Sequence, residues 1–308
     1  MDQSTDWDVV VVGAGPAGLT AALYLARYHR RVLVIHDGKS RALRIPLTHN
    51  APGYPDGITG IDLIARMTEH AEKYGAEMLE MCVSNIRRAD GAFIVSSDGQ
   101  PDTRARGVIL ATGIFLNEVD LSRDVHEQAI KDGVLRYCPI CDAYEHTDAN
   151  IGVLGCDSNG AAEALFLRQY SDRITLMPLS HPELTASEQA QLDQAGIKVA
   201  HGALAKLTPH SDRIEVALEG QQEASFDVVY PALGCSPRAE LGTALGLGLT
   251  DTGCLPPEAV TKSAVEGLWA AGDVVEGLDQ ISVAMGHGAL AATKAHNWLR
   301  EQDGETLT

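Results

Sequence analysis

Residues 9–35 recur, without a gap, as residues 151–177. Gly13 falls on Gly155, Gly18 on Gly160, Leu23 on Leu165, Leu25 on Leu167, Tyr28 on Tyr170 and Arg31 on Arg173. Each copy reads as an apolar strand, a glycine turn, an apolar helix and a second short apolar strand, the pattern of a βαβ unit. A chain that builds this unit twice is committed to an α/β architecture of two nucleotide-type domains on parallel sheets. With 308 residues there is room for both. A hydrophobic content of 45% against 21% charged residues excludes a disordered chain.

The two copies differ where a ligand would sit. In the first, Gly13-Ala14-Gly15-Pro16-Ala17-Gly18 follows four valines and opens an apolar helix, a context that makes an otherwise weak motif specific. Gly13 makes the tight turn, Gly15 lets the backbone approach a pyrophosphate, and Gly18 lets the helix pack on the strand. The phosphates would rest on the helix N-terminus, where free N–H groups favour negative charge. Asp37, about 20 residues beyond the last glycine, is the natural ribose partner, although His36 occupies the position where that acid usually falls. In the second copy Asp157 replaces Gly15, and Pro178-Leu179-Ser180 follows the second strand with neither the ribose acid nor an arginine for a 2′-phosphate. The second fold is expected; its usual dinucleotide is not.

Forty-two acidic against twenty-four basic residues give a net charge of −18, which argues against nucleic acid or an anionic membrane as the main partner. The longest charge-free stretch, 9–26, contains Gly13, Gly15, Pro16 and Gly18, so it reads as strand, turn and helix rather than a membrane span. The first eight residues are acidic and lack the basic start of a signal peptide. Six cysteines are too sparse for a secreted disulfide scaffold. The expected location is the cytoplasm.

Between the copies stands Tyr137-Cys138-Pro139-Ile140-Cys141-Asp142. A zinc site would need two more ligands at similar spacing, and Cys82, Cys156, Cys235 and Cys254 are isolated; no metal is expected. A thioredoxin-type fold would place the pair at the start of a long helix, for which ten residues before the next strand leave little room. A redox-active disulfide fits best, and in a reducing compartment such a pair persists only if it is turned over. Asp142 is placed to exchange a proton with a departing thiolate, its other reading being a solvated turn carboxylate.

These motifs, with Asn50-Ala51-Pro52-Gly53, Ala111-Thr112-Gly113, Gly272-Asp273 and Asp279-Gln280-Ile281, run in one order along nearly the whole chain. In that combination the chain resembles the low-molecular-weight thioredoxin reductases, flavoproteins of the pyridine nucleotide–disulfide oxidoreductase type. The resemblance implies two Rossmann-like, three-layer ββα domains, the second inserted in the first. Residues 1–116 and 246–308 would form the FAD domain, and 117–245 the nicotinamide-type domain carrying the cysteines. Ala111-Thr112-Gly113 and Ala232-Leu233-Gly234 would lie at the crossings. It assigns to FAD the positions Gly13, Gly15, Pro16, Ala17, Gly18, His36, Asp37, Arg41, Asn50, Thr112, Gly113, Gly272, Asp273, Gln280 and Ile281. It implies that Cys141 exchanges electrons with the flavin, that Cys138 attacks the substrate disulfide and that Asp142 is the acid–base. It also implies a homodimer acting on a thioredoxin-like protein or a small-molecule dithiol or disulfide.

The family's NADPH turn and its arginine segment are the two features this sequence lacks, so NADPH is not expected as an efficient donor. Members of this kind also include proteins that use ferredoxin, carry a second flavin or oxidise small-molecule dithiols. Pro139 inside the CxxC occurs among the last. The leading reading is therefore an FAD enzyme moving electrons between flavin, the cysteine pair and an external disulfide. The alternatives are a dithiol oxidase passing electrons to oxygen, a quinone or a second FAD, and a non-catalytic flavin-binding redox sensor. Elsewhere, 61–76 reads as an amphipathic helix with Ile61, Leu63, Ile64 and Met67 inward and a Glu69/Lys73 pair outward. Trp269 reads as core, His287, just after the flavin-facing segment, as a satisfied structural histidine or else one that approaches the ring or a substrate, and the polar tail 302–308 as frayed.

Overall fold

The computed structural model describes residues 7–305, so the acidic start at 1–6 and the end of the tail at 306–308 lie outside the described residues. In chain order the first elements are β1 (Trp7–Val12), α1 (Pro16–Arg27), β2 (Val32–His36), α2 (Gly60–Lys73), β3 (Glu77–Glu80), β4 (Val83–Ala89), β5 (Ala92–Ser97), β6 (Thr103–Leu110) and β7 (Ile114–Leu116). Then come α3 (Arg123–Asp132), α4 (Pro139–Asp142), β8 (Ile151–Leu154), α5 (Ser158–Leu167), β9 (Ile174–Met177), α6 (Ala186–Gln194), β10 (Lys198–Val199), β11 (Leu204–Pro209), β12 (Ile214–Leu218), β13 (Ala224–Phe226) and β14 (Val228–Pro231). The chain closes with β15 (Cys235–Pro237), α7 (Glu240–Ala244), β16 (Leu268–Ala270) and α8 (Ile281–Gln302).

It divides into two compact units. One comprises the chain up to Ile45, Ile58–Phe115 and the chain from Ser236; the other comprises Pro46–Gly57 and Leu116–Cys235. Compared with the borders expected from sequence, the return falls at 236 rather than 246, and the strap 46–57 groups with the second unit.

In the first unit the sheet order is β3-β2-β1-β6-β5-β4, with β16 also on β6. The β3-β2-β1-β6-β16 part is parallel, and β4, β5 and β6 form an antiparallel meander. Val9 to Val12 are buried to 6% exposure or less because the parallel strand is covered on both faces, which is why it reads as an unbroken apolar run. A Cβ on Gly288 of α8 would fall on the Ala17 carbonyl of α1, so these two helices pack at backbone distance. Trp269 is core at 5% exposure.

The helix after β2 and the C-terminal tail both differ from the sequence expectation. The helix α2 starts at Gly60, capped by Thr59, whose hydroxyl accepts from the Asp62 N–H, and ends at Lys73. Its buried face is Leu63, Ile64 and Ala71, whereas Ile61 is 64% exposed. The tail is held as far as Asp303, whose carboxylate pairs with Arg30 at 2.7 Å and Arg106 at 2.6 Å.

The second unit repeats the theme as a parallel sheet β10-β9-β8-β14, with a separate antiparallel sheet β11-β12-β13. Its core is Ile151, Val153, Leu176, Val228 and the fully buried Tyr230. Among the described residues no helix is long and apolar enough to cross a membrane.

Candidate active site

Each unit carries one chemically organised locus. In the first, Gly13 turns at φ +112°, and a Cβ on Gly18 would fall on the Gly13 carbonyl, so strand and helix meet at backbone contact. This closes the strand–turn–helix so that the N-terminus of α1 opens into a cleft. No side chain caps that helix, whose N-cap is Gly15. The cleft is lined by Gly13, Gly15, Pro16, Ala17, Asp37, Arg41, Thr112, Gly113, Gly272, Asp273, Gln280 and Ile281. Sequence-distant motifs thus converge on one groove.

Gly18, His36 and Asn50, also assigned by the resemblance, are not among the residues that line this cleft. Gly18 acts in packing. The His36 ring instead accepts from the Gly38 N–H at 3.2 Å. Asn50 belongs to the second unit, where its amide donates to the Ile140 carbonyl at 3.3 Å. Arg238, which no motif marks, does line the cleft, and its guanidinium pairs with Asp37 at 3.0 Å and covers the Phe115 ring. Burial would raise the Asp37 pKa, but the Lys39 N–H and Arg238 outweigh it and hold the carboxylate below its usual range. Asp273 is pushed up by burial, against the pull of Arg41 at 2.8 Å and of His287. Burial, with the Asp273 charge, takes Asp279 to about 6. His287 has its Nδ1 buried without a hydrogen-bond partner, so it is not the satisfied histidine expected.

The donor set fits FAD. An uncapped helix N-terminus and Arg41 suit a pyrophosphate, Asp37 suits a ribose hydroxyl, and Asp273 and Gln280 suit a ribityl chain. The space beside Gly15 is open, since a Cβ there would meet only Ser40 Oγ at 3.4 Å.

In the second unit Cys138 and Cys141 are joined as a disulfide, and α4 is a single turn, as the short spacing to the next strand requires. Cys82, Cys156, Cys235 and Cys254 take no part in the disulfide, and no cluster of three metal-binding side chains occurs among the described residues. Asp142 is not a solvated turn carboxylate. Its Oδ1 accepts from the Tyr230 hydroxyl at 2.8 Å, and its Oδ2 lies 3.1 Å from Arg136 Nε. Burial lifts its pKa to about 6, opposed by Arg136 and Tyr230 and assisted by Glu145. Beside the pair, His126 is 3% exposed and meets the Tyr137 hydroxyl at 2.7 Å, anchoring the residue before Cys138. Glu145 on the other side pairs with His49 at 2.9 Å.

The second glycine turn keeps its shape and loses its opening. Gly155 has φ +121°, and a Cβ on Gly160 would fall on the Gly155 carbonyl, as in the first copy. Asp157, however, folds its own carboxylate over the helix: Oδ1 accepts from the Gly160 N–H at 2.9 Å. The segment after β9 then lies across the turn. The Glu183 N–H donates to the Cys156 carbonyl at 2.7 Å, and Glu188 accepts from Ser158.

Glu163, further along α5, has a buried Oε2 without a partner, and burial together with Asp157 pushes its pKa to about 7. A folded-state pKa above the unfolded value of 4.5 stabilises the protein below pH 4.5, and this is lost as pH rises through 7. Glu163→Gln is therefore expected to raise the thermal midpoint at pH 8, by the equivalent of about 3 kcal/mol at most, and to change nothing at pH 4. Calorimetry at the two pH values checks this.

The family profile described as pyridine nucleotide-disulphide oxidoreductase matches residues 7–288. Thioredoxin reductase of Treponema pallidum is 30% identical over 317 residues, covering 96% of this chain and 98% of its own. That of Peptoclostridium litorale is 28% identical, covering 96% and 98%. Among solved structures, HlmI superposes with a TM-score of 0.90 at 30% identity, over 99% of this chain and 96% of its own. Thioredoxin reductase from Streptococcus pyogenes superposes with a TM-score of 0.87 at 23% identity, over 97% and 100%.

Proposed function

The chain belongs to the pyridine nucleotide-disulphide oxidoreductase family, as a flavoprotein disulfide oxidoreductase of thioredoxin reductase type, and within it we propose a dithiol oxidase that works without a nicotinamide cofactor. The observation that carries this reading is the contrast between the two helix N-termini: open at Gly15, filled by a carboxylate at Asp157. Electrons then enter or leave through thiols, and the direction that needs no nicotinamide is oxidation of a substrate dithiol.

FAD would be held by the cleft around Gly13, Gly15, Asp37, Arg41 and Asp273, with Arg238 added to the residues read from sequence. When bound, the flavin would supply a two-electron acceptor for thiols, with dioxygen or a quinone as the terminal oxidant. The chain's own part begins when a substrate thiolate attacks Cys138 Sγ, the Cys138–Cys141 bond breaks, and Cys141 leaves as thiolate. The second substrate thiol attacks the mixed disulfide, releasing the substrate as a disulfide and Cys138 as a thiol. Two electrons now reside on the cysteine pair, and Asp142 accepts one of the two protons given up. A thioredoxin-like protein and small-molecule dithiols are the substrate classes to compare.

Anaerobic mixing with a dithiol is expected to bleach the flavin. Cys138→Ser and Cys141→Ser should each slow that bleaching by more than about a hundredfold while the protein stays yellow. Bleaching at the parent's rate in both variants would remove the cysteines from the reaction.

A further inference from the structure

We infer that Tyr230, together with Arg136, is a positioning residue for this reaction: the two grip the Asp142 carboxyl from opposite oxygens and keep it available as a proton acceptor. The inference rests on the dithiol chemistry proposed above for its purpose, but not for its test. Tyr230 sits in β14, 88 residues from Asp142, in a strand that otherwise contributes Val228, Val229 and Pro231 to the core. A phenylalanine would fill the same apolar position without leaving a polar atom to satisfy. The hydroxyl is instead fully buried and donates a hydrogen bond to Asp142 Oδ1 at 2.8 Å. A buried Tyr hydroxyl needs a partner, and this one is spent on a carboxyl directly after a redox cysteine.

The charges around the carboxyl favour opposite outcomes. Desolvation favours the protonated, useless form, and Glu145 pushes the same way. Arg136 and the Tyr230 hydroxyl favour the carboxylate. His146 stands edge-on to the Tyr230 ring, and burial and Arg136 lower its pKa, with Glu145 and Asp227 pulling the other way. The phenol cannot compete for the proton, since burial and the Asp142 charge raise its own pKa. It is therefore a pure donor, and it strengthens the carboxylate without titrating in its place. A base of this kind is useful when it is deprotonated near neutral pH yet not so acidic that it refuses a proton.

The test reads Asp142 directly in the purified holoprotein. In pH-difference infrared spectra a protonated-carboxyl band should titrate near pH 6 and vanish in Asp142→Asn, which assigns it. Tyr230→Phe should move its midpoint up by about one to two pH units, the loss of one hydrogen bond to a charged group. Replacing tyrosine throughout by 3-fluorotyrosine, a stronger donor of nearly the same shape, should move it down, which keeps the test alive if Tyr230→Phe folds poorly. The rising acidic limb of kcat/KM for dithiol oxidation should move with the band. A band that stays in place in both proteins, or that titrates in the ordinary carboxylate range in the parent, overturns the role of Tyr230. A parent that shows the band and its shift but no dithiol-driven bleaching refutes the proposed function and leaves the positioning intact.

Discussion

Gly15→Asp is expected to give a folded protein that purifies colourless. The substitution writes the second copy's residue into the first, and the structure has room for it. Gly15 has φ −80°, which any residue adopts, and among the described residues an added Cβ would have Ser40 Oγ, at 3.4 Å, as its one neighbour. By analogy with Asp157, whose carboxylate accepts from Gly160, the new side chain should cap α1 and stabilise the apoprotein by about 1 kcal/mol. The cap takes an N–H that the pyrophosphate would use, a charge-assisted bond worth roughly 1.5–3 kcal/mol. It also places like charges about 4 Å apart, a repulsion of ~1 kcal/mol in water and ~4 kcal/mol at a protein surface. These sum to roughly 3.5–8 kcal/mol, or about 2.5 to 6 decades of affinity. Gly15→Ala, which adds bulk without charge, should retain most of its flavin. Full FAD occupancy in Gly15→Asp, read from absorbance after gel filtration, would remove the glycine motif from flavin binding.

NADPH and NADH are expected to leave the flavin oxidised in anaerobic stopped-flow mixing, where a dithiol bleaches it. For a pyrophosphate to reach the second glycine turn, Asp157 must release Gly160, and a cap of this kind is worth about 1 kcal/mol. The Glu183–Cys156 and Glu188–Ser158 bonds hold the following segment across the turn as well. The unit's arginines near this fold are engaged elsewhere: Arg168 with Asp172 and the Ala195 carbonyl, Arg173 with the Asp148 carbonyl. Neither of these two arginines stands ready for a 2′-phosphate, which costs a further ~1.5–3 kcal/mol per missing bond. Asp157→Gly alone should restore little, because the segment 183–188 still covers the turn. Bleaching within a second at sub-millimolar NADPH is the outcome that would reverse this reading.

Contiguous patterns in the sequence determined the two βαβ units, the two glycine turns with Asp157 in the second, and the paired cysteines. Each is a local arrangement in which spacing alone dictates geometry. A glycine at Gly18 is required wherever a helix must meet a strand at the Gly13 carbonyl, and two cysteines three apart on one helical turn can bridge. The tertiary structure decided what those motifs face. Asp37 gained Arg238 from 201 residues away, and Asp142 gained Tyr230 from 88. Tyr230 was invisible beforehand because a buried strand reads the same with a tyrosine or a phenylalanine, and only a partner across the core gives its hydroxyl a purpose. The same holds for Asp157. Its presence was plain in the sequence, but whether it turned outward or filled its own helix depended on the backbone N–H groups it met. Proton affinities and helix caps depend on burial and on distant partners, and those exist only once the chain has folded.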